Sequence, residues 1–154
     1  MKKTNAMRIL DREKVNYKLN VYEPDENITG LDAAKKLGQD PNKVFKTLVT
    51  KSKDDHFVFV IPVGEELNLK KAAQVAQVKK IEMLPLKELL PTTGYIHGGC
   101  SPVGMKKQFK TFIHESAKNF DKFFVSAGKV GMQLEINPQD LISVVDGTFA
   151  DIIN

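Results

Sequence analysis

Two pairs of apolar runs, each joined by a turn too short to hold a crossover, constrain the fold most. Residues 44–51 and 57–62 read as strands separated by the polar turn Lys53-Asp54-Asp55. Residues 122–126 and 132–136 read as strands around the glycine-bearing stretch Ser126-Ala127-Gly128-Lys129-Val130-Gly131. Strands that follow each other this closely pair antiparallel, because a parallel connection needs a dozen or more residues. A regular alternation of strand and helix is absent, which excludes a doubly wound sheet. The expectation is an α+β fold: a mixed, largely antiparallel, partly barrel-like sheet with peripheral helices.

The helices and remaining strands follow from local signals. Residues 4–15 read as an amphipathic helix capped by Thr4, and residues 17–22 alternate as a half-buried strand. Residues 23–27 form a loop around Pro24, and Thr29 caps a helix over 31–37 that Gly38 stops. A helix over 69–78 and a short strand over 80–84 come next. Pro85 then sits at the first position of a helix that ends before Pro91. Residues 95–97 and 111–114 read as strands, and 115–119 as a helical turn. Pro138 opens a helix across 139–144, and the tail 148–153 reads as one more helical turn. With 154 residues, 42% of them hydrophobic, and no linker or repeat, the expectation is one domain over 1–154.

No apolar run reaches the 18 or so residues of a membrane-spanning helix, and the charged N-terminus does not fit a secretory signal. A lone Cys100 excludes an internal disulfide and a multi-cysteine zinc site. The expected location is the cytoplasm, with no membrane partner.

Charge is unevenly distributed. The net charge is +4, yet residues 67–114 hold eight lysines against Glu82 and Glu88, leaving the rest of the chain at −2. Such a concentration is the footprint of a nucleic-acid binder or a solvated face. Only Arg8 and Arg12 are arginine. Arginine suits bidentate reading of base edges, so its scarcity argues against sequence-specific DNA recognition, whereas lysines serve as phosphate contacts.

Lys46 lies within Val44-Phe45-Lys46-Thr47-Leu48-Val49, where alternation places it beside Val44 and Leu48 on one strand face. A lysine there either snorkels to water or meets an anion. Gly98-Gly99-Cys100-Ser101-Pro102-Val103-Gly104 is the densest glycine segment, with Lys106-Lys107 directly after it. It is either a plain loop or a backbone nest for an anion, and it is not a phosphate-binding P-loop. Cys100, three residues from His97, reads as a small buried hydrophobe, and no nucleophile–base pair or metal-ligand spacing is evident.

With these motifs the chain resembles the YbaK/EbsC-type aminoacyl-tRNA deacylases, relatives of the editing domain inserted in bacterial prolyl-tRNA synthetase. The ordered matches are Lys35-Lys36-Leu37-Gly38, Val44 through Val49, Leu69-Lys70-Lys71, Thr93-Gly94-Tyr95, Gly98 through Lys107, Val125 through Lys129, and Phe149-Ala150-Asp151-Ile152. The resemblance implies hydrolysis of a mischarged aminoacyl ester at a tRNA 3′ end, with Cys-tRNA(Pro) and Cys-tRNA(Cys) as substrates and prolyl-tRNA synthetase as partner. No metal or cofactor is implied. It places the family's lysine on Lys46 with Thr47 beside it, its pocket tyrosine on Tyr22, its glycine loop on Gly98 and Gly99, and its strand-end serine on Ser126. Two positions depart from the pattern: Ile28-Thr29 stands where some members carry phenylalanine, and Gln133 where an acidic residue is expected.

The resemblance implies substrate contacts from Tyr22, Thr29, Thr47, Ser126 and Gln133, catalysis through Lys46, Gly98 and Gly99, and tRNA phosphates on Lys106 and Lys107. Backbone N–H groups of Gly98 and Gly99 would face the ester oxygen, such donors being worth about 2.7–4 kcal/mol each. The substrate's own thiol would attack its ester. Two other readings remain open: an Ala-tRNA(Pro) deacylase that uses water, and a non-catalytic module that binds tRNA or a synthetase.

Overall fold

The computed structural model describes residues 2–24 and 29–154. Most of the expected 23–27 loop and Ile28 lie outside the described residues. Helices are α1 (Asn5–Arg12), α2 (Gly30–Leu37), α3 (Leu69–Ala76), α4 (Leu86–Thr93) and α5 (Pro138–Val145). Strands are β1 (Tyr17–Val21), β2 (Phe45–Ser52), β3 (Asp55–Pro62), β4 (Glu82–Met83), β5 (Lys110–His114), β6 (Phe123–Lys129), β7 (Met132–Ile136) and β8 (Thr148–Ala150). They form two sheets, ordered β1-β7-β6 and β4-β2-β3-β5-β8.

Both hairpins form as the turns require, β2 with β3 and β6 with β7, and β1 adds antiparallel to β7. The mixture comes from β5, which pairs parallel with both β3 and β8. The sheets meet where Val44 bridges Phe124 in parallel, but they do not close into a barrel. This corrects the barrel-like expectation: after that bridge β2 continues beside β3 while β6 continues beside β7.

The five-stranded sheet is covered on both faces. On β3, Phe57, Phe59 and Ile61 pack with Ala72, Ala73 and Ala76 of α3, while Val58 and Val60 face the main core with Leu10, Phe123, Leu134 and Leu141. Two-sided burial explains why β3 reads as a continuous apolar run. At the sheet junction the rings of Phe45 and Phe123 meet edge to face, 5.0 Å between centroids. Offset and edge-to-face geometry is the favoured arrangement for aromatic pairs.

Four other local readings change. Residues 95–97 are not a strand; Tyr95 instead anchors a loop, its hydroxyl donating to the Val103 carbonyl at 2.7 Å. α4 runs through Pro91 to Thr93, with Pro85 as its N-cap. The turn beyond the proline is held by Thr93 Oγ1 donating to the Leu89 carbonyl at 2.8 Å and Gly94 N–H to the Leu90 carbonyl at 2.8 Å. The tail is strand β8 rather than a helical turn, because the open edge of β5 offers it backbone partners. The short strand in 80–84 narrows to Glu82–Met83. Among the described residues no helix is long and apolar enough to cross a membrane.

Phe123 is fully buried at the junction. Phe123→Ala is expected to lower unfolding free energy by about 3–5 kcal/mol, read from urea denaturation. A loss below about 1 kcal/mol would mean that the sheet junction does not carry stability.

Candidate functional site

A cavity of about 200 Å³ opens where the two sheets part. Its position follows from strand pairing. β2 is bridged to β6 at Val44 and paired with β4 at Thr50 and Lys51. Between these points, residues 45–48 have no ladder partner on that edge among the described residues. Lys46, Thr47 and Leu48 all reach the cavity wall. Strand alternation alone would put Lys46 and Thr47 on opposite faces; both contribute because the cavity wraps a free edge and not a single face.

The remaining walls come from distant segments. Tyr22 follows β1, Thr29 and Ala33 belong to the start of α2, and Leu89 to α4. His97, Gly98 and Cys100 come from the glycine loop, and Ser126 and Gln133 from β6 and β7. Ser126 and Gln133 are directly opposite in the β6–β7 register, and Asn20 of β1 lies on the other side of Gln133. Seven sequence-derived site residues therefore converge: Tyr22, Thr29, Lys46, Thr47, Gly98, Ser126 and Gln133. Gly99, Lys106 and Lys107 do not line the cavity.

The glycine loop is fixed at several points. Lys106 N–H donates to the Thr93 carbonyl at 3.0 Å, closing the loop at its base. Asn5 Nδ2 of α1 donates to the Gly104 carbonyl at 2.8 Å, and Thr4 Oγ1 donates to the Ala127 carbonyl at 2.6 Å. Gly98 has φ +84°, a left-handed conformation that suits glycine. Gly99 is required for a different reason: a Cβ there would lie 3.0 Å from the Val130 nitrogen and 3.2 Å from Lys129 backbone atoms. The two glycine-bearing segments singled out in the sequence thus touch each other.

Hydrogen bonding sorts these groups into committed and available. Gly99 N–H donates to the Ile96 carbonyl at 3.0 Å, so it serves the turn and not an oxyanion. Thr29 is the N-cap of α2: its hydroxyl donates to Asp32 Oδ2 at 2.9 Å and accepts from Asp32 N–H at 3.2 Å. Ser126 Oγ accepts from Gly128 N–H at 3.1 Å and keeps its own proton to donate. By contrast, Thr47 Oγ1 and Gln133 Oε1 are buried with no hydrogen-bond partner. Buried polar atoms are seldom left so, and each such atom calls for a reason. Both belong to residues that line the cavity.

Lys46 supplies the ammonium of the wall, and among the described lining residues there is no carboxylate. Burial pushes the Cys100 thiol up to about 12, so it stays protonated at neutral pH and is no nucleophile. Sequence reasoning placed Cys100 as a buried hydrophobe but missed that it lines the cavity, as do His97, Ala33, Val63 and Leu89. No local signal marks them, since they meet only through the tertiary fold. Among the described residues no group of three or more His, Cys, Asp or Glu side chains is placed to hold a metal ion.

Fold and cavity together define an α+β fold with a small cavity in the fork between two sheets. The aminoacyl-tRNA editing domain family matches residues 26–144, and the chain belongs to that family. EbsC of Enterococcus faecalis, by name a candidate Cys-tRNA(Pro)/Cys-tRNA(Cys) deacylase, is 47% identical over 97% of this chain and 93% of its own length. A proline–tRNA ligase of Fervidobacterium nodosum is 29% identical over 73% of this chain and 20% of the ligase. The crystal structure of a candidate trans-editing enzyme for prolyl tRNA synthetase superposes with a TM-score of 0.85 at 20% identity, covering 100% of this chain and 99% of that one.

Because the Cys100 thiol is held protonated, iodoacetamide at pH 8 is expected to alkylate the native protein more than about a hundredfold slower than the urea-unfolded chain. Mass spectrometry over a time course reads the difference. Equal rates would show that the thiol is exposed and ionised.

Proposed function

We propose that the protein is a free-standing aminoacyl-tRNA deacylase that removes cysteine from tRNA(Pro) and tRNA(Cys), acting in the cytoplasm alongside prolyl-tRNA synthetase. The observation that carries this reading is the pair of unpartnered buried acceptors, Thr47 Oγ1 and Gln133 Oε1, in one cavity with Lys46. The α-amino group of an aminoacyl ester supplies the donors these oxygens lack. The Lys46 ammonium holds an oxygen of the terminal adenosine or its phosphate. Membership of the editing-domain family and the near-full-length match to EbsC support the same substrate class.

The reaction needs no side-chain nucleophile. The substrate's thiol attacks its own ester carbonyl, a C–S bond forms and the C–O bond to the tRNA breaks. The thiol proton goes to the leaving ribose oxygen, giving free tRNA and a thiolactone that water opens. Gly98 N–H, which has no backbone partner among the described residues, is the loop donor left for the developing oxyanion. Holding thiol and carboxyl ester together in reactive geometry supplies on the order of 7–11 kcal/mol. The Cys100 thiol, protonated, is a wall of the cavity and takes no part in bond making.

Deacylation of Cys-tRNA(Pro), Ala-tRNA(Pro) and Ser-tRNA(Pro), followed by loss of label from the tRNA, tests this. Cleavage of the cysteinyl ester alone is expected, with Lys46→Ala lowering kcat/KM by about a hundredfold or more and Cys100→Ala leaving it nearly intact. Efficient cleavage of the alanyl or seryl ester would show that water is the nucleophile. No cleavage of any ester, with tRNA still bound, would leave a binding module.

A further inference from the structure

None of the eight lysines in residues 67–114 lines the cavity, and the fold scatters most of them. Lys71 is held by Asp151 at 2.9 Å and Lys106 by the Pro91 carbonyl at 3.2 Å, while Lys110 lies over the Phe112 ring. Lys79 and Lys80 behave differently. Gln77, in a left-handed conformation at φ 60°, ends α3 and turns the chain toward β4. This carries Lys79 and Lys80 to the tip of the β2–β3 hairpin, where Lys53 also has a left-handed φ of 55°. Together with Lys51 they line a groove of about 500 Å³. Asp55 and Glu82 share its wall, leaving two lysines in excess. Lys51 is already paired with Glu88 at 3.7 Å, whereas Lys53, Lys79 and Lys80 are exposed and have no ion-pair partner among the described residues.

The groove and the cavity share one edge of the five-stranded sheet. β4 pairs with β2 at Thr50 and Lys51, and Leu84 N–H donates to the Val49 carbonyl at 3.1 Å on that edge. Residues 46–48 of the same strand, and Leu89 of α4, which follows β4, belong to the cavity wall. Lys51 is five residue steps along the strand from Lys46, roughly 17 Å. A stacked nucleic-acid strand, at 3.4 Å per nucleotide, covers that distance in roughly five nucleotides. β4, paired with this edge, and α4, which follows it, carry exposed Met83, Leu86 and Leu90, which suit riboses and bases better than further phosphates.

We propose that the groove of Lys51, Lys53, Lys79 and Lys80 binds the phosphates of the tRNA acceptor arm while the aminoacylated 3′ end occupies the cavity. This rests on the deacylase reading above. The groove recognises the charge of the backbone and not its sequence, since lysines are point charges. It gives the enzyme affinity for any tRNA body and leaves selection to the aminoacyl cavity.

The test uses the Lys53→Ala/Lys79→Ala/Lys80→Ala triple variant, whose unchanged thermal midpoint verifies the fold. Its substrates are Cys-tRNA(Pro) and a cysteinylated CCA trinucleotide that is too short to reach the groove. The expected result is a KM for Cys-tRNA(Pro) raised by at least about tenfold, kcat unchanged, and trinucleotide cleavage unaffected. Binding of uncharged tRNA should lose about 2–3 units from the slope of log K against log salt, the share of three phosphate contacts. An unchanged tRNA KM and salt slope would overturn the proposal, as would equal losses on both substrates. A KM effect seen only with prolyl-tRNA synthetase present would assign the groove to a protein surface instead. Failure of the wild type to cleave either substrate would overturn the deacylase reading, and the salt slope with uncharged tRNA still decides the groove separately.

Discussion

The departure of β2 from β6 is the constraint on which the other features depend. The two strands are joined at Val44 and Phe124 and locked by the Phe45–Phe123 ring contact. They then diverge into separate sheets, as twisted sheets packed face to face must. Divergence leaves residues 45–48 without a ladder partner on that edge among the described residues, until the β4 segment takes over at Val49 and Thr50. An unpaired strand edge is a hazard when exposed. Here α2, α4 and the glycine loop surround it, and the enclosed gap becomes the cavity. The feature that prevents barrel closure is therefore the feature that makes the cavity.

The site's chemistry is defined by what its polar groups are already doing. Thr29 is committed to capping α2, Gly99 N–H to the loop turn, and one lone pair of Ser126 to Gly128. Among the described residues of the wall, Thr47 Oγ1, Gln133 Oε1, the Gly98 N–H, the Lys46 ammonium, the Tyr22 hydroxyl and the His97 ring have no hydrogen-bond partner. That set offers acceptors, hydroxyl and backbone donors and one positive charge. Desolvation keeps the Cys100 thiol neutral. Such a site contributes mainly by holding and orienting an ester, which fits a reaction whose nucleophile travels with the substrate.

Much of the scaffold was legible in the sequence because it is set by local physics. Both hairpins, the caps Thr4 and Thr29, and the stop at Gly38 depend on residues within a few positions of one another. The misreadings also have local causes. Pro91 was read as a helix end, but side-chain and backbone bonds to Leu89 and Leu90 carry α4 one turn further. Residues 95–97 have strand-like composition, yet Tyr95 spends its hydroxyl on Val103 inside a loop. The tail reads as helix in isolation and becomes β8 because β5 offers an open edge.

The sequence by itself determined the two antiparallel hairpins, the absence of a doubly wound sheet, and the scarcity of arginine beside many lysines. It also marked Lys46, the glycine loop and Ser126 as sites of interest. Only the tertiary structure decided that Lys46 and Thr47 serve one cavity from opposite strand faces, and that Gly99 is a packing residue. It also decided that Lys79 and Lys80, not Lys106 and Lys107, join other lysines in a groove. The reason is range. Periodicity, capping and turn formation are fixed by near neighbours in the chain, whereas a cavity is fixed by segments far apart in sequence that meet only when the two sheets pack.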